Sequence, residues 1–333
     1  MYNGRIYQGH GEPHSRIDHL PPPPPWRAMT RGEPLGETLD RPTSRARVYQ
    51  SDRNTVEAVN AALLLRRPLL VTGRPGTGKS TLAHHVALEL GLGRVLTWPV
   101  TSRVTLKDGL YTYDAIGRLR EAGRLASVAP QAYGEFSSGS EERSDIGTYL
   151  RLGPLGTALL PSERPRVLVI DELDKSDIDL PNDLLHVFEE GQFEIPELVR
   201  LAREPTVHVL THDPGGFAEI VRGQVQCTEF PFVVVTSNGE RDFPPAFLRR
   251  CIQLELPEPD VEKLTRIVEA HLGREATDRA HQLIETFLRR RAEGGMLSTD
   301  QLLNAIYLSL GDGTGTDRDE LVHLLLRPLG PGT

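Results

Sequence analysis

Residues 73–80 read GRPGTGKS, an unbroken G-x-x-x-x-G-K-S run set between an apolar stretch, Pro68 to Thr72, and a helix-like stretch, Thr81 to Leu90. Such a loop needs glycines where the backbone turns sharply and brings its N–H groups onto phosphate oxygens. It also needs a lysine for the β and γ phosphates and a hydroxyl for magnesium. Gly73, Gly76, Gly78, Lys79 and Ser80 meet each need. The following helix would aim its positive N-terminal end at the same anion, with Leu82, Val86 and Leu90 as its buried stripe. Strand, loop and helix in this order predict an α/β fold that binds a nucleoside triphosphate with magnesium.

The chain has 333 residues, 38% of them hydrophobic, which gives room for two domains with ordinary cores. Its longest apolar runs, such as Phe232 to Val235 and Val167 to Ile170, are strand length and far short of the roughly 20 residues that span a bilayer. No charged-then-apolar signal peptide opens the sequence, and Cys227 and Cys251 form neither a disulfide framework nor a C-x-x-C metal pattern, so a cytoplasmic location is expected. A formal charge of −8 opposes broad attachment to nucleic acid, which depends on clustered lysines and arginines. Proteins are the expected macromolecular partners.

Residues 1–46 contain few aliphatics and the five prolines Pro21 to Pro25, and are expected to stay disordered because they cannot bury enough apolar surface. Residues 47–258 alternate strand-like and helix-like segments, the pattern of a mainly parallel sheet covered on both faces. Core strands are expected near 68–72, 95–100, 166–171, 232–237 and 252–256. A long interval separates the second from the third, with Ser137 to Ser140 and the charges of Glu141, Glu142 and Arg143. Leu180, Leu184 and Phe188 mark a helical face, and Phe193 to Glu229 reads as helix or turn plus a hairpin, one arm being Val207 to Leu210. Residues 259–333 are purely helical. Leu264, Ile267, Val268 and Leu272 form one stripe, and Leu283, Ile284, Phe287 and Leu288 another. Ser298 with Gln301 makes a capping box, and Leu297 with Leu302 can form a hydrophobic staple. Leu302, Leu303, Ile306, Tyr307 and Leu310 would face inward, and a fourth helix is expected from Asp317 to Leu329. The sum is a small α-helical domain.

Arg166 to Glu172 (RVLVIDE) is an apolar strand ending in two carboxylates. After a complete phosphate loop, Asp171 is expected to hold the magnesium, through water or Ser80, and Glu172 to orient and deprotonate the attacking water. The strand Phe232 to Ser237 runs into Asn238, whose amide can bond both the lytic water and the γ-phosphate. Pro244 to Cys251 reads as a proline-started short helix ending in Arg249 and Arg250. One of these can reach a neighbouring subunit's γ-phosphate, or both can pair with surface carboxylates. His208, His212 and Cys227 fit no zinc spacing and are read as part of the hairpin, and His84 and His85 as ordinary helix positions.

The phosphate loop, Ile170 to Lys175 (IDELDK), Asn238, the Arg249-Arg250 pair and the helical region together resemble an AAA+ ATPase. The run Pro181 to Glu194, with a hairpin inserted before Asn238, resembles the MoxR branch. The resemblance covers about residues 48–330. It implies a P-loop AAA+ core with a five-stranded parallel sheet in the order 5-1-4-3-2, followed by a small α-helical lid. It also implies a ring, expected as a hexamer, with ATP at subunit interfaces, and a chaperone-like role that often involves a partner with a von Willebrand A domain. By position, the nucleotide contacts would be Gly73, Arg74, Pro75, Gly76, Thr77, Gly78, Lys79, Ser80, Thr81 and Asp171, with Ser80 and Asp171 on magnesium. Lys79, Glu172, Asn238 and Arg250 would be catalytic, Arg250 being preferred to Arg249 as the finger because it directly precedes the last strand. One departure is that the start of the third lid helix, where the family often carries a second sensor arginine, reads Ser298 to Gln301 (STDQ). Either one of Arg289 to Arg291 substitutes or the lid couples weakly to nucleotide. Inserts near 115–150 and 200–230 fall where the family puts pore-facing or partner-facing hairpins. A nucleotide-dependent oligomeric switch in signalling or defence is the alternative function, and a DNA-acting role is disfavoured by the acidic charge.

Overall fold

The computed structural model describes residues 46, 49, 51–128, 146–201, 206–293, 297–310, 322 and 324–326. The proline run, the Ser137 to Arg143 stretch and most of the helix expected from Asp317 to Leu329 lie outside the described residues. Of the leader read from 1 to 46, only Ala46 is described, and it is buried. The chain forms two compact units. One comprises Ser51–Thr72 and Lys79–Leu256; the other comprises Gly73–Gly78 and Pro257–Thr333 with the first fifty residues.

In chain order the first unit contains α1 (Arg53–Leu65), β1 (Leu69–Thr72), α2 (Lys79–Leu90), β2 (Val95–Pro99), α3 (Leu106–Leu110), β3 (Tyr111–Tyr113), α4 (Ala115–Val128), β4 (Leu150–Leu152), α5 (Pro154–Ala158) and β5 (Val167–Asp171). It continues with α6 (Leu180–Glu190), β6 (Gln192–Glu194), α7 (Pro196–Val199), β7 (Thr206–Leu210), β8 (Phe217–Val221), β9 (Gln224–Gln226), β10 (Phe232–Ser237), α8 (Pro245–Leu248) and β11 (Ile252–Glu255).

Strands β11, β1, β10, β5 and β2 form a wholly parallel sheet in that order, which is 5-1-4-3-2 for the five core strands as expected. Val167, Leu168, Val169 and Ile170 of β5 and Val233, Val234 and Val235 of β10 are completely buried. A strand covered on both faces reads as a continuous apolar run, and this is why the central strands stood out in the sequence. The register sets Val235 of β10 beside Ile170 of β5, so both strands deliver their next residues to the same sheet edge.

Helix α2 departs from the expected stripe. Leu82, Ala83, Val86 and Ala87 are buried, whereas Leu90 is exposed. Residues four apart advance about 40° around a helix, so by Leu90 the row has turned away from the sheet.

A second, six-stranded sheet in the order β3-β4-β7-β8-β9-β6 is built from the inserted segments. The expected hairpin is β7–β8, antiparallel from Thr206↔Val221 to Leu210↔Phe217. A tight turn at Arg222 and Gly223, both at positive φ, leads on to β9. That sheet shares one hydrophobic core with the parallel sheet through residues such as Val207, Val209, Ile220 and Phe193.

In the second unit, α9 (Val261–Leu272), α10 (Arg274–Ala292) and α11 (Thr299–Leu310) pack on their expected faces. Leu264, Val268, Ile284, Phe287, Leu302, Leu303 and Ile306 are buried in one cluster, joined by Val322 and Leu326; Tyr307 and Leu310 are only half-buried. The capping box is present: Gln301 N donates to Ser298 Oγ at 3.3 Å, and Ser298 N donates to Gln301 Oε1 at 2.8 Å. Among the described residues no helix is long and apolar enough to cross a membrane.

Candidate active site

Gly76 and Gly78 of the glycine loop sit at φ +81° and +91°, a region that side chains strongly disfavour. Space requires glycine as well. A Cβ on Gly76 would stand 3.0 Å from Thr299 N and 3.1 Å from Ser298 Cβ, and one on Gly78 would stand 3.1 Å from the Tyr49 ring. The start of α11 is therefore pressed against the loop. Thr77 is buried and donates through Oγ1 to Arg74 O at 2.9 Å, while Pro75 is exposed. Arg74 turns to the carboxylate of Glu258, Nη1 to Oε1 being 2.7 Å. The other oxygen of Glu258 takes Arg291 Nε at 2.8 Å; Arg291 also donates to Pro259 O at 2.7 Å and lies over the Phe287 ring. Of the three arginines at the end of α10, Arg291 is thus linked to the phosphate loop, through a carboxylate. Arg290 donates instead to Leu326 O.

Lys79, Ser80 and Thr81 open α2. Ser80 Oγ donates to Asp171 Oδ1 at 2.7 Å, and Thr236 Oγ1 donates to the same oxygen at 2.6 Å. Thr236 in turn accepts from Glu172 N at 2.9 Å, so one hydroxyl on β10 fixes both acidic residues at the end of β5. Glu172 occupies the left-handed region at φ 60°, ψ 47°. A non-glycine residue held there costs on the order of 1 to 3 kcal/mol and persists only when its surroundings determine it. Those surroundings are visible: Lys175 Nζ donates to Glu172 Oε2 at 2.7 Å and Asn238 Nδ2 to Glu172 Oε1 at 3.2 Å.

Asn238 faces Lys79 as well, accepting from its Nζ through Oδ1 at 2.7 Å. Its amide thereby joins the lysine that follows β1 to the glutamate that follows β5. Burial lowers the pKa of Lys79, and the charges of Asp174, Asp171 and Glu172, in that order, oppose the shift. The result is a buried lysine whose pKa is lowered despite three neighbouring carboxylates.

Arg250 is half-exposed and ion-paired with Glu189 of α6, with a further bond from Nη1 to Ala246 O at 3.3 Å. Arg249 is exposed, and its carbonyl accepts from Arg67. Within one chain the finger candidate therefore follows the surface-carboxylate alternative. Sequence reasoning assigned no role to Thr236, Asp174, Lys175 or Glu258. Asp174 and Lys175 lie inside the acidic motif itself, but their partners are spread along the chain and no local pattern marks them.

The donors around Ser80 and Asp171 suit a hard divalent cation. A hydroxyl and a carboxylate oxygen 2.7 Å apart offer oxygen ligands only, and magnesium binds through one or two protein oxygens with water and phosphate completing its shell. No curated protein matches the chain. A family model described as AAA domain (dynein-related subfamily) matches residues 68–251, more than half of the chain, from the first residue before β1 to the residue before β11. The matched span contains the phosphate loop, the acidic strand end, Asn238 and both arginines. Loop, strand-end carboxylates and family match agree: the chain belongs to the AAA domains of the dynein-related subfamily, which are nucleotide-binding ATPases.

Proposed function

We propose that this protein binds and hydrolyses ATP with magnesium, as a MoxR-like AAA+ ring that remodels or activates a protein partner. The observation that carries the hydrolytic part is the shared strand-end network. Asp171 is held by Ser80 and Thr236, while the Glu172 carboxylate, one residue on, is held by Asn238 and Lys175. In this reading 47–258 is the nucleotide-binding core and 259–333 its lid.

Each side chain has a separable task. Backbone N–H groups of the glycine loop would cradle phosphate oxygens, with Lys79 supplying the side-chain charge. Ser80 and Asp171 would hold magnesium, which would supply neutralisation of the phosphate charge. Glu172 would take the proton of the attacking water, and Asn238, already bonded to Glu172, would orient that water. Arg250 would leave Glu189 and act on the nucleotide of a neighbouring subunit. The acidic balance of the chain and the inserted second sheet favour a protein target; the resemblance to MoxR proteins points to one with a von Willebrand A domain, in a cytoplasmic setting.

The test is Glu172→Gln. It should retain binding of a fluorescent ATP analogue with magnesium, while phosphate release falls by about 10²- to 10⁴-fold, the usual contribution of a general base. Wild-type turnover in this variant would mean that the base lies elsewhere.

A further inference from the structure

Asp174 lies three residues beyond the strand-end aspartate, in the short 3-10 turn Leu173–Lys175, and is 3% exposed. A carboxylate this deeply buried is costly unless its bonds repay the lost hydration. One oxygen, Oδ2, accepts two backbone N–H groups, from Asn238 at 2.9 Å and from Glu240 at 3.0 Å. Both donors belong to the loop that leaves β10. The other oxygen, Oδ1, is buried with no hydrogen-bond partner among the described residues. The burial of this carboxylate therefore rests on the two bonds at Oδ2, and it calls for an explanation beyond local folding.

The geometry supplies one. The amide of Asn238 must reach Lys79 Nζ and Glu172 Oε1 together, at 2.7 and 3.2 Å. Asn238 stands on a loop followed by Gly239 at φ +78°, and in the loop Gly239 N bonds back to Ser237 Oγ at 3.0 Å. Strand pairing and Thr236 bring β10 to the end of β5, but neither they nor that local bond set the path of the loop beyond Ser237. Asp174 determines it, since a single side-chain oxygen accepts from two N–H groups of the loop at once. We propose that Asp174 is a positioning residue for hydrolysis, docking the Asn238 loop onto the acidic turn so that one amide spans the phosphate-binding lysine and the catalytic base.

The assignment rests on the hydrolytic reading above, and the experiment separates the two. Full-length Asp174→Ala, Asp174→Asn, Asn238→Ala, Glu172→Gln and the Asp174→Ala/Asn238→Ala double variant are compared for kcat and KM with ATP and magnesium. Asp174→Ala should lower kcat by about 10- to 100-fold, the combined worth of the two lost hydrogen bonds, with KM changed by less than about threefold. Asp174→Asn keeps an oxygen for both N–H groups in the same volume, and should recover most of that loss. The double variant should be no slower than Asn238→Ala, because Asp174 acts through that side chain.

A role confined to general stability would instead add its loss in the Asn238→Ala background. Wild-type kcat in Asp174→Ala, an Asp174→Asn variant as slow as Asp174→Ala, or additive losses would overturn the assignment while Glu172-dependent turnover stands. If Asp174→Ala does not fold, the isosteric Asp174→Asn decides alone, and a loss beyond about tenfold in that folded variant overturns the assignment. Turnover that does not depend on Glu172 would overturn the hydrolytic reading, and this assignment with it.

Discussion

Lys79 shows what a single residue contributes to the candidate site. It is buried beside Asn238, and burial lowers its pKa while the carboxylates of Asp174, Asp171 and Glu172 oppose the shift. Replacing it with alanine should remove the main side-chain charge for the β and γ phosphates. Lys79→Ala is expected to abolish binding of a fluorescent ATP analogue while circular dichroism stays unchanged; undiminished affinity in the folded variant would remove the phosphate-loop assignment. The loop, Asp171 and Glu172 were legible in the sequence because each is defined by neighbours within a few positions. Asp174 was not, since its backbone donors lie 64 and 66 residues away. Nor was the left-handed backbone of Glu172, which rests on Thr236, 64 residues on.

At the scale of elements, α11 was the most legible helix and is the simplest to test. Its capping box satisfies backbone groups that would otherwise lack intrahelical partners, and Leu297 and Leu302 are buried in the same cluster. Ser298→Ala should destabilise the helical unit by about 0.5 to 1 kcal/mol, the low end of capping effects because the Oγ bond is long. Thermal unfolding and faster amide exchange in the first turn of α11 would show it, and unchanged exchange would argue against the cap. The same first turn lies on Gly76, so Gly76→Ala meets both a disfavoured φ and the backbone of Thr299. That variant is expected to weaken nucleotide affinity at least several-fold in a binding titration, and unaltered affinity would show that the loop adapts. The five central strands were visible as apolar runs because both their faces are buried. The second sheet was visible only as its β7–β8 hairpin. Strands β3, β4, β6 and β9 are three residues long, too short for a period of two to register, and β4 meets β7 through one bridged pair, Arg151 with Leu210.

At the scale of the whole molecule, Arg250 bears on whether sites are shared between copies. Arg250 is ion-paired with Glu189 on its own chain, an exposed pair of the kind that contributes about 0 to 1 kcal/mol and exchanges readily. Arg250→Ala should bind ATP normally yet hydrolyse poorly, since a finger acting on the transferring phosphoryl group is worth about 10³ to 10⁵ in rate. Mixed with Glu172→Gln under assembling conditions, it should regain activity at interfaces that pair an intact Glu172 with an intact Arg250. Mixtures no faster than the separate variants would exclude Arg250 in trans, and repeating them with Arg249→Ala would test the other arginine. The sequence by itself determined the α/β class, the phosphate loop, the order of the acidic strand and Asn238, and the helical faces of the C-terminal region, because these depend on local spacing and on hydrophobic periodicity. Tertiary structure alone decided that Thr236 fixes both acidic residues and that Asn238 bridges Lys79 and Glu172. It also decided that Arg291 reaches the phosphate loop through Glu258 and that the inserts close into a second sheet. Each of these depends on hydrogen bonds, ion pairs or strand pairings between residues far apart in the chain, where no local pattern records the partner.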